Sequence, residues 1–122
     1  MNQRQNKESA CPIQPIVDML GGKWKLFILY QLLQGTKRYG ELRRLVPNAT
    51  ERMLTLQLRE LEAAGVVLRT VYPEVPPKVE YSLTELGWSL EPLLQTMLNW
   101  SEKYLIKADK LSPLLSSGDV KV

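Results

Sequence analysis

The segment from Thr50 to Tyr81 constrains the fold more than any other part of the chain, because an amphipathic helix with both ends marked runs directly into a proline-tipped pair of strands. Pro47 closes the stretch before it, and Asn48-Ala49 supply a turn. Thr50 is a good N-cap, since its hydroxyl oxygen accepts from a free backbone N–H in the first turn. The periodicity predicts a helix from about Glu51 to Ala64, with Gly65 placed to take the left-handed conformation that ends a helix. Val66 to Tyr72 and Lys78 to Leu83 read as two strands around Pro73-Glu74-Val75-Pro76-Pro77. Prolines donate no backbone hydrogen bond and restrict φ, so the tip is stiff and resists pairing with another sheet edge.

At roughly 100° per residue, Leu54, Leu58 and Leu61 fall on one face of this helix. Arg52, Thr55 and Arg59 fall nearly opposite, with Leu56 and Ala63 beside them. Arginine pairs bidentately with guanine or holds phosphate, threonine bonds a base or touches the thymine methyl, and an outward Leu56 suits an apolar contact. An ordinary solvated helix would show similar spacing. The hairpin that follows favours a winged helix presenting Arg52, Thr55, Leu56 and Arg59 to the major groove of double-stranded DNA, with Arg69 and Lys78 at neighbouring phosphates. A wing tip that only blocks aggregation is compatible with the same residues.

Upstream, Lys23 to Gln34 is apolar nearly all round and is expected to be the central core helix, ended by Gly35. Gly40 to Val46 reads as a short helix with Leu42, Leu45 and Val46 inward and Arg43 and Arg44 outward, the two arginines towards phosphate. The turn from it into the presented helix suggests helix-turn-helix. Charge distribution agrees. The whole chain carries only +3, yet Lys23 to Arg59 holds eight basic against two acidic residues, so the excess sits on the proposed DNA-facing half.

Thr84 is placed to cap a C-terminal helix running from Glu85 into the Lys103 to Ala108 region, with a wide apolar stripe and a possible kink at Pro92. The segment Pro12 to Leu20 is a second apolar stretch. A symmetric homodimer would bury both, and Ile13, Ile16, Leu20, Leu94, Leu98 and Trp100 are its expected interface. Packing within one subunit is the alternative. Two recognition helices roughly 34 Å apart would read half-sites one DNA turn apart.

Catalytic chemistry is scarce. There is no histidine, so no imidazole base, no His metal ligand and no Cys-His pair is available, and a single cysteine excludes a CxxC site. No cofactor, no metal and no enzymatic activity are expected. If the first helix starts at Pro12, Cys11 occupies its N-cap, where the helix dipole favours a thiolate. A start nearer Pro15 leaves Cys11 outside the helix, and an inert small hydrophobe is the plain alternative.

Cys11-Pro12, Gly21-Gly22-Lys23-Trp24, Tyr39-Gly40-Glu41-Leu42-Arg43, Leu58-Arg59-Glu60-Leu61-Glu62 and above all Tyr72-Pro73-Glu74-Val75-Pro76-Pro77-Lys78-Val79-Glu80-Tyr81-Ser82-Leu83-Thr84-Glu85-Leu86-Gly87 resemble the HxlR family of bacterial transcription regulators. The resemblance covers about Cys11 to Trp100, and its wing motif is the specific part. It implies a dimeric winged helix-turn-helix regulator, repressor or activator, in responses to electrophiles, aldehydes, quinones or oxidants. The family includes thiol sensors, which favours Cys11 as a redox or electrophile sensor. Ala49 stands where a larger aliphatic is common and Thr50 where serine is common, and threonine also caps.

The expected architecture is mainly α with a two-stranded β-hairpin wing and N- and C-terminal dimerisation helices. Residues 11–108 are expected to form one domain, between a tail at 1–10 and another at 109–122. No signal peptide or apolar run of membrane-spanning length is present, so a cytoplasmic location and no membrane partner are expected. Rival readings are a protein-interaction winged helix, a small thiol enzyme that lacks a base, and a regulator whose effector is a non-covalent small ligand with Cys11 structural.

Overall fold

The computed structural model describes residues 11–106. The tails expected at 1–10 and 109–122, and the helix end expected near Ala108, lie outside the described residues. The chain divides between Trp88 and Ser89 into two compact units.

In the first unit, α1 (Gln14–Leu20) has Ile13 at its N-cap and Pro15 in its first turn, where the N–H that proline lacks would have had no helical partner. The start that places Cys11 at a helix N-cap is therefore not the one adopted. Cys11 lies before the helix and is exposed, and its carbonyl accepts the N–H of Gln14. The core helix α2 (Lys25–Leu33) follows, shorter at both ends than its apolar run suggests. A short strand β1 (Lys37–Arg38) leads into α3 (Tyr39–Leu45), whose first turn is closed by Glu41 Oε1 accepting the Arg38 N–H at 2.7 Å.

The presented helix α4 (Glu51–Ala63) begins where expected: Thr50 Oγ1 accepts the N–H of Met53 at 3.0 Å. Its end is a Schellman arrangement, with Val66 N–H donating to Leu61 and Gly65 N–H to Glu62. Gly65 has φ +85°, a conformation that costs glycine nothing and strains other residues. Strands β2 (Val67–Tyr72) and β3 (Lys78–Leu83) form the antiparallel wing, with Arg69 opposite Tyr81 and Tyr72 opposite Lys78. The wing is not a two-stranded hairpin alone. β1 pairs with β3, Lys37 opposite Tyr81, giving a three-stranded sheet in the order β1-β3-β2.

The core of this unit gathers Ile28, Leu29 and Leu32 from α2, Leu42 from α3, Leu54, Leu58 and Leu61 from α4, and Val66 ahead of the wing, all fully buried. Leu45, expected inward, is exposed, while Val46 just beyond the helix turns in. Thr84 closes the unit. Its hydroxyl donates to the Gly65 carbonyl at 2.6 Å and accepts from Gly87 N–H at 3.0 Å, starting the short α5 (Glu85–Trp88).

The second unit comprises α6 (Glu91–Ser101) and a π-helical turn, Glu102–Ile106. The long single helix expected from Glu85 is thus two helices. Pro92 has no N–H to give the carbonyl four residues back, so a continuous helix would lose that bond, whereas in the first turn of α6 nothing is lost. Leu90 and Leu94 are buried, while Met97, Trp100 and Tyr104 are exposed. Among the described residues no helix is long and apolar enough to cross a membrane.

Candidate nucleic-acid interface

Burial of Leu54, Leu58 and Leu61 fixes the rotation of α4 about its axis, and the opposite face must then point outward. Arg52, Leu56 and Arg59 are exposed and Thr55 is half-buried, so the sequence-predicted set lies on one presented face. Leu56 stays 50% exposed despite being apolar. One shallow groove is lined by Glu51, Arg52, Thr55, Leu56 and Arg59. A second lies between α4 and the wing, where Thr55, Arg59 and Glu62 face Arg69, Val79 and Tyr81, with Tyr39 at its end.

The flanking cations separate into two groups. Arg44 and Arg69 are exposed, and among the described residues no carboxylate pairs with either, nor with Arg52 or Arg59. Arg43 and Lys78 are engaged. The Arg43 guanidinium donates to the Ala49 carbonyl at 2.6 Å, holding the turn between α3 and α4. Lys78 Nζ lies 4.4 Å from the centroid of the Tyr72 ring and 3.8 Å from Glu80 Oε2. Both residues thus have partners within the fold, whereas Arg44 and Arg69 offer their whole head groups to a phosphate. Lys25 drops out of the basic run, since it is buried and bonded to Glu60.

Two groups in this region were not singled out in the sequence. Tyr39 Oη lies 3.3 Å from Thr55 Oγ1 and donates to the Glu51 carbonyl at 3.4 Å, joining the start of α3 to the presented face. Tyr72 donates to Glu80 Oε1 at 3.1 Å. That hydrogen bond, and then the negative charge of Glu80, raise the Tyr72 pKa above its ordinary value. The partners are many residues apart except within the hairpin, so only the Tyr72–Glu80 contact had a local signal: both lie on one face of paired strands. Among the described residues no group of His, Cys, Asp or Glu is placed to hold a metal ion.

The HxlR-like helix-turn-helix family model matches residues 19–109, spanning both helices of the helix-turn-helix and the wing. The chain belongs to that family. It is 54% identical to the HTH-type transcriptional regulator YdeP of Bacillus subtilis (strain 168) over 90% of this chain and 86% of that protein. With YybR of the same organism it shares 53% over 95% of this chain and 90% of that one. Among solved structures, the redox regulator HypR in its oxidized form superposes with a TM-score of 0.73 at 56% identity, covering 76% of this chain and 96% of that one. Its reduced form gives 0.75 at 51% identity, over 80% and 99%. The protein is thus a DNA-binding transcription regulator of the HxlR-like family with a winged-helix fold.

Proposed function

We propose that this HxlR-like regulator binds its operator as a homodimer, each subunit laying α4 in the major groove with Arg52, Thr55, Leu56 and Arg59 towards base edges. Arg44 and Arg69 take adjacent phosphates. The single observation that carries this reading is the presented face of α4, where arginines with no carboxylate partner among the described residues flank Thr55 and an exposed Leu56, next to Arg69 of the wing. Such a face combines phosphate attraction with groups that discriminate bases. Dimerisation is supported by apolar surface left uncovered in the single chain: Ile13 and Val17 on or beside α1, and Met97 and Trp100 on α6. Leu20 and Leu94, expected at the interface, are buried within the chain and contribute less. Ile16 and Leu98 are half-buried.

Cys11 is the proposed sensing group. It is exposed, and the similar HypR is named a redox regulator, with both oxidized and reduced forms solved. As the only cysteine, its thiolate can be alkylated by an electrophile such as a quinone, or, with a two-electron oxidant such as diamide taking up the electrons and protons, form a disulfide with a small thiol or with its counterpart in a dimer. The test is operator binding before and after treatment with diamide or a quinone, comparing the native chain with Cys11→Ser. A change of about tenfold or more that the serine variant lacks supports the role, being about 1.4 kcal/mol. An identical response in both chains would assign the effector to a non-covalent ligand or to another site.

A further inference from the structure

Within the proposed groove-reading face, the hydrogen bonds of Tyr39 have a direction that determines what Thr55 offers to DNA. A tyrosine hydroxyl has one proton and a backbone carbonyl has none. The contact of Tyr39 Oη with the Glu51 carbonyl, at 3.4 Å, is therefore satisfied only when Tyr39 donates there. Its proton is then spent, and the 3.3 Å contact with Thr55 Oγ1 is satisfied only when Thr55 is the donor. The reverse arrangement, Tyr39 donating to Thr55, would leave two acceptor oxygens facing each other at Glu51. One assignment satisfies both contacts: Thr55 O–H to Tyr39, and Tyr39 O–H to the Glu51 carbonyl.

We propose that Tyr39 is a positioning residue that holds the Thr55 hydroxyl as an acceptor towards the groove, so that Thr55 selects a base edge bearing an exocyclic amine, N6 of adenine or N4 of cytosine. With its proton directed inward, Thr55 Oγ1 has only lone pairs left for the DNA. Adenine and cytosine present donors in the major groove, whereas guanine O6 and N7 and thymine O4 are acceptors that oppose it. Thr55 borders both grooves of the presented face, with Arg52 and Leu56 in one and Arg69 in the other, so the residue lies where a base edge would pass. A threonine free to rotate would accept either kind of edge. The tie to Tyr39 removes that tolerance.

This inference rests on α4 reading the major groove, and the experiment separates the two. Bound duplexes are selected from a random pool with the full-length chain. Each base pair of the selected site is then varied, including purine in place of adenine to delete the N6 amine, and affinities are compared for the native chain, Tyr39→Phe, Thr55→Val, Thr55→Ser and the Tyr39→Phe/Thr55→Val double variant. At one base pair, deleting the exocyclic amine, with purine for adenine or 2-pyrimidinone for cytosine, should weaken binding about tenfold, an effect that Thr55→Val abolishes and Thr55→Ser keeps. Tyr39→Phe should relax the same position with melting temperature and scrambled-duplex affinity unchanged, and the double variant should lose nothing more. A native preference that Thr55→Val removes and Tyr39→Phe leaves intact overturns the inference alone, as does a Thr55-dependent preference that survives deletion of the exocyclic amine at that base pair. Equal weakening of Tyr39→Phe on every duplex does the same. A native chain with no base preference at all overturns the groove reading and this inference with it.

Discussion

Lys25 Nζ lies 2.5 Å from Glu60 Oε1 and 3.1 Å from the Gly21 carbonyl, so a buried ammonium on α2 pins the inner flank of the presented helix α4. The lysine side chain is 8% exposed and the glutamate 48% exposed. The asymmetry decides which partner is costlier to lose. Removing Glu60 leaves a buried cation with a single carbonyl, whereas removing the ammonium leaves a carboxylate that water can reach.

Glu60→Ala is accordingly expected to destabilise the chain by roughly 1–3 kcal/mol and Lys25→Met by less, as read from urea unfolding midpoints. The reverse order would contradict the account of the pair. The two residues stand 35 positions apart, and nothing local joins them. This is why Lys25 counts in the sequence as one more member of the basic run, while Thr50 and Gly65, whose caps are decided within a few residues, are legible at once. The same distinction holds elsewhere. The face of α4 follows from its own periodicity, and the wing from its alternation and prolines. The pairing of β1 with β3 is not legible, since two residues carry no period, and neither are the tasks of Arg43 and Tyr39, which depend on where the next helix lies.

Gly87 packs so closely under the wing that a Cβ there would collide with the Val66 carbonyl and press on the Leu83 side chain. Backbone on one side cannot move as a side-chain tip can. Gly87→Ala is expected to cost roughly 1–3 kcal/mol by overpacking, seen as a lowered midpoint in thermal or denaturant melts. A variant as stable as the native chain would show that α5 can shift away freely.

The Tyr72–Glu80 contact gives a pH signature on the wing. The bonded carboxylate raises the Tyr72 pKa above the ordinary 10.0. A group whose folded pKa is raised contributes stability fully below its unfolded pKa and loses it as pH climbs through the folded value, so the effect belongs to alkaline pH and leaves neutral solution untouched. Following phenolate absorbance, Glu80→Gln should bring one tyrosine's titration to lower pH, and Tyr72→Phe should remove that same transition. An unchanged titration in Glu80→Gln would rule out the carboxylate as the cause.

The central claim is that the exposed face of α4 reads DNA sequence, and fluorescence anisotropy tests it most directly. Reduced full-length protein is titrated onto duplexes tiled across the DNA upstream of its own gene, with scrambled duplex as competitor, for the native chain, Arg52→Ala and Arg59→Ala. One tile should bind tightly against competitor, and an arginine that pairs with guanine should lose roughly 1–3 kcal/mol on that tile while losing far less on scrambled DNA. Equal losses on every duplex would reduce both arginines to phosphate contacts and contradict sequence reading by this face.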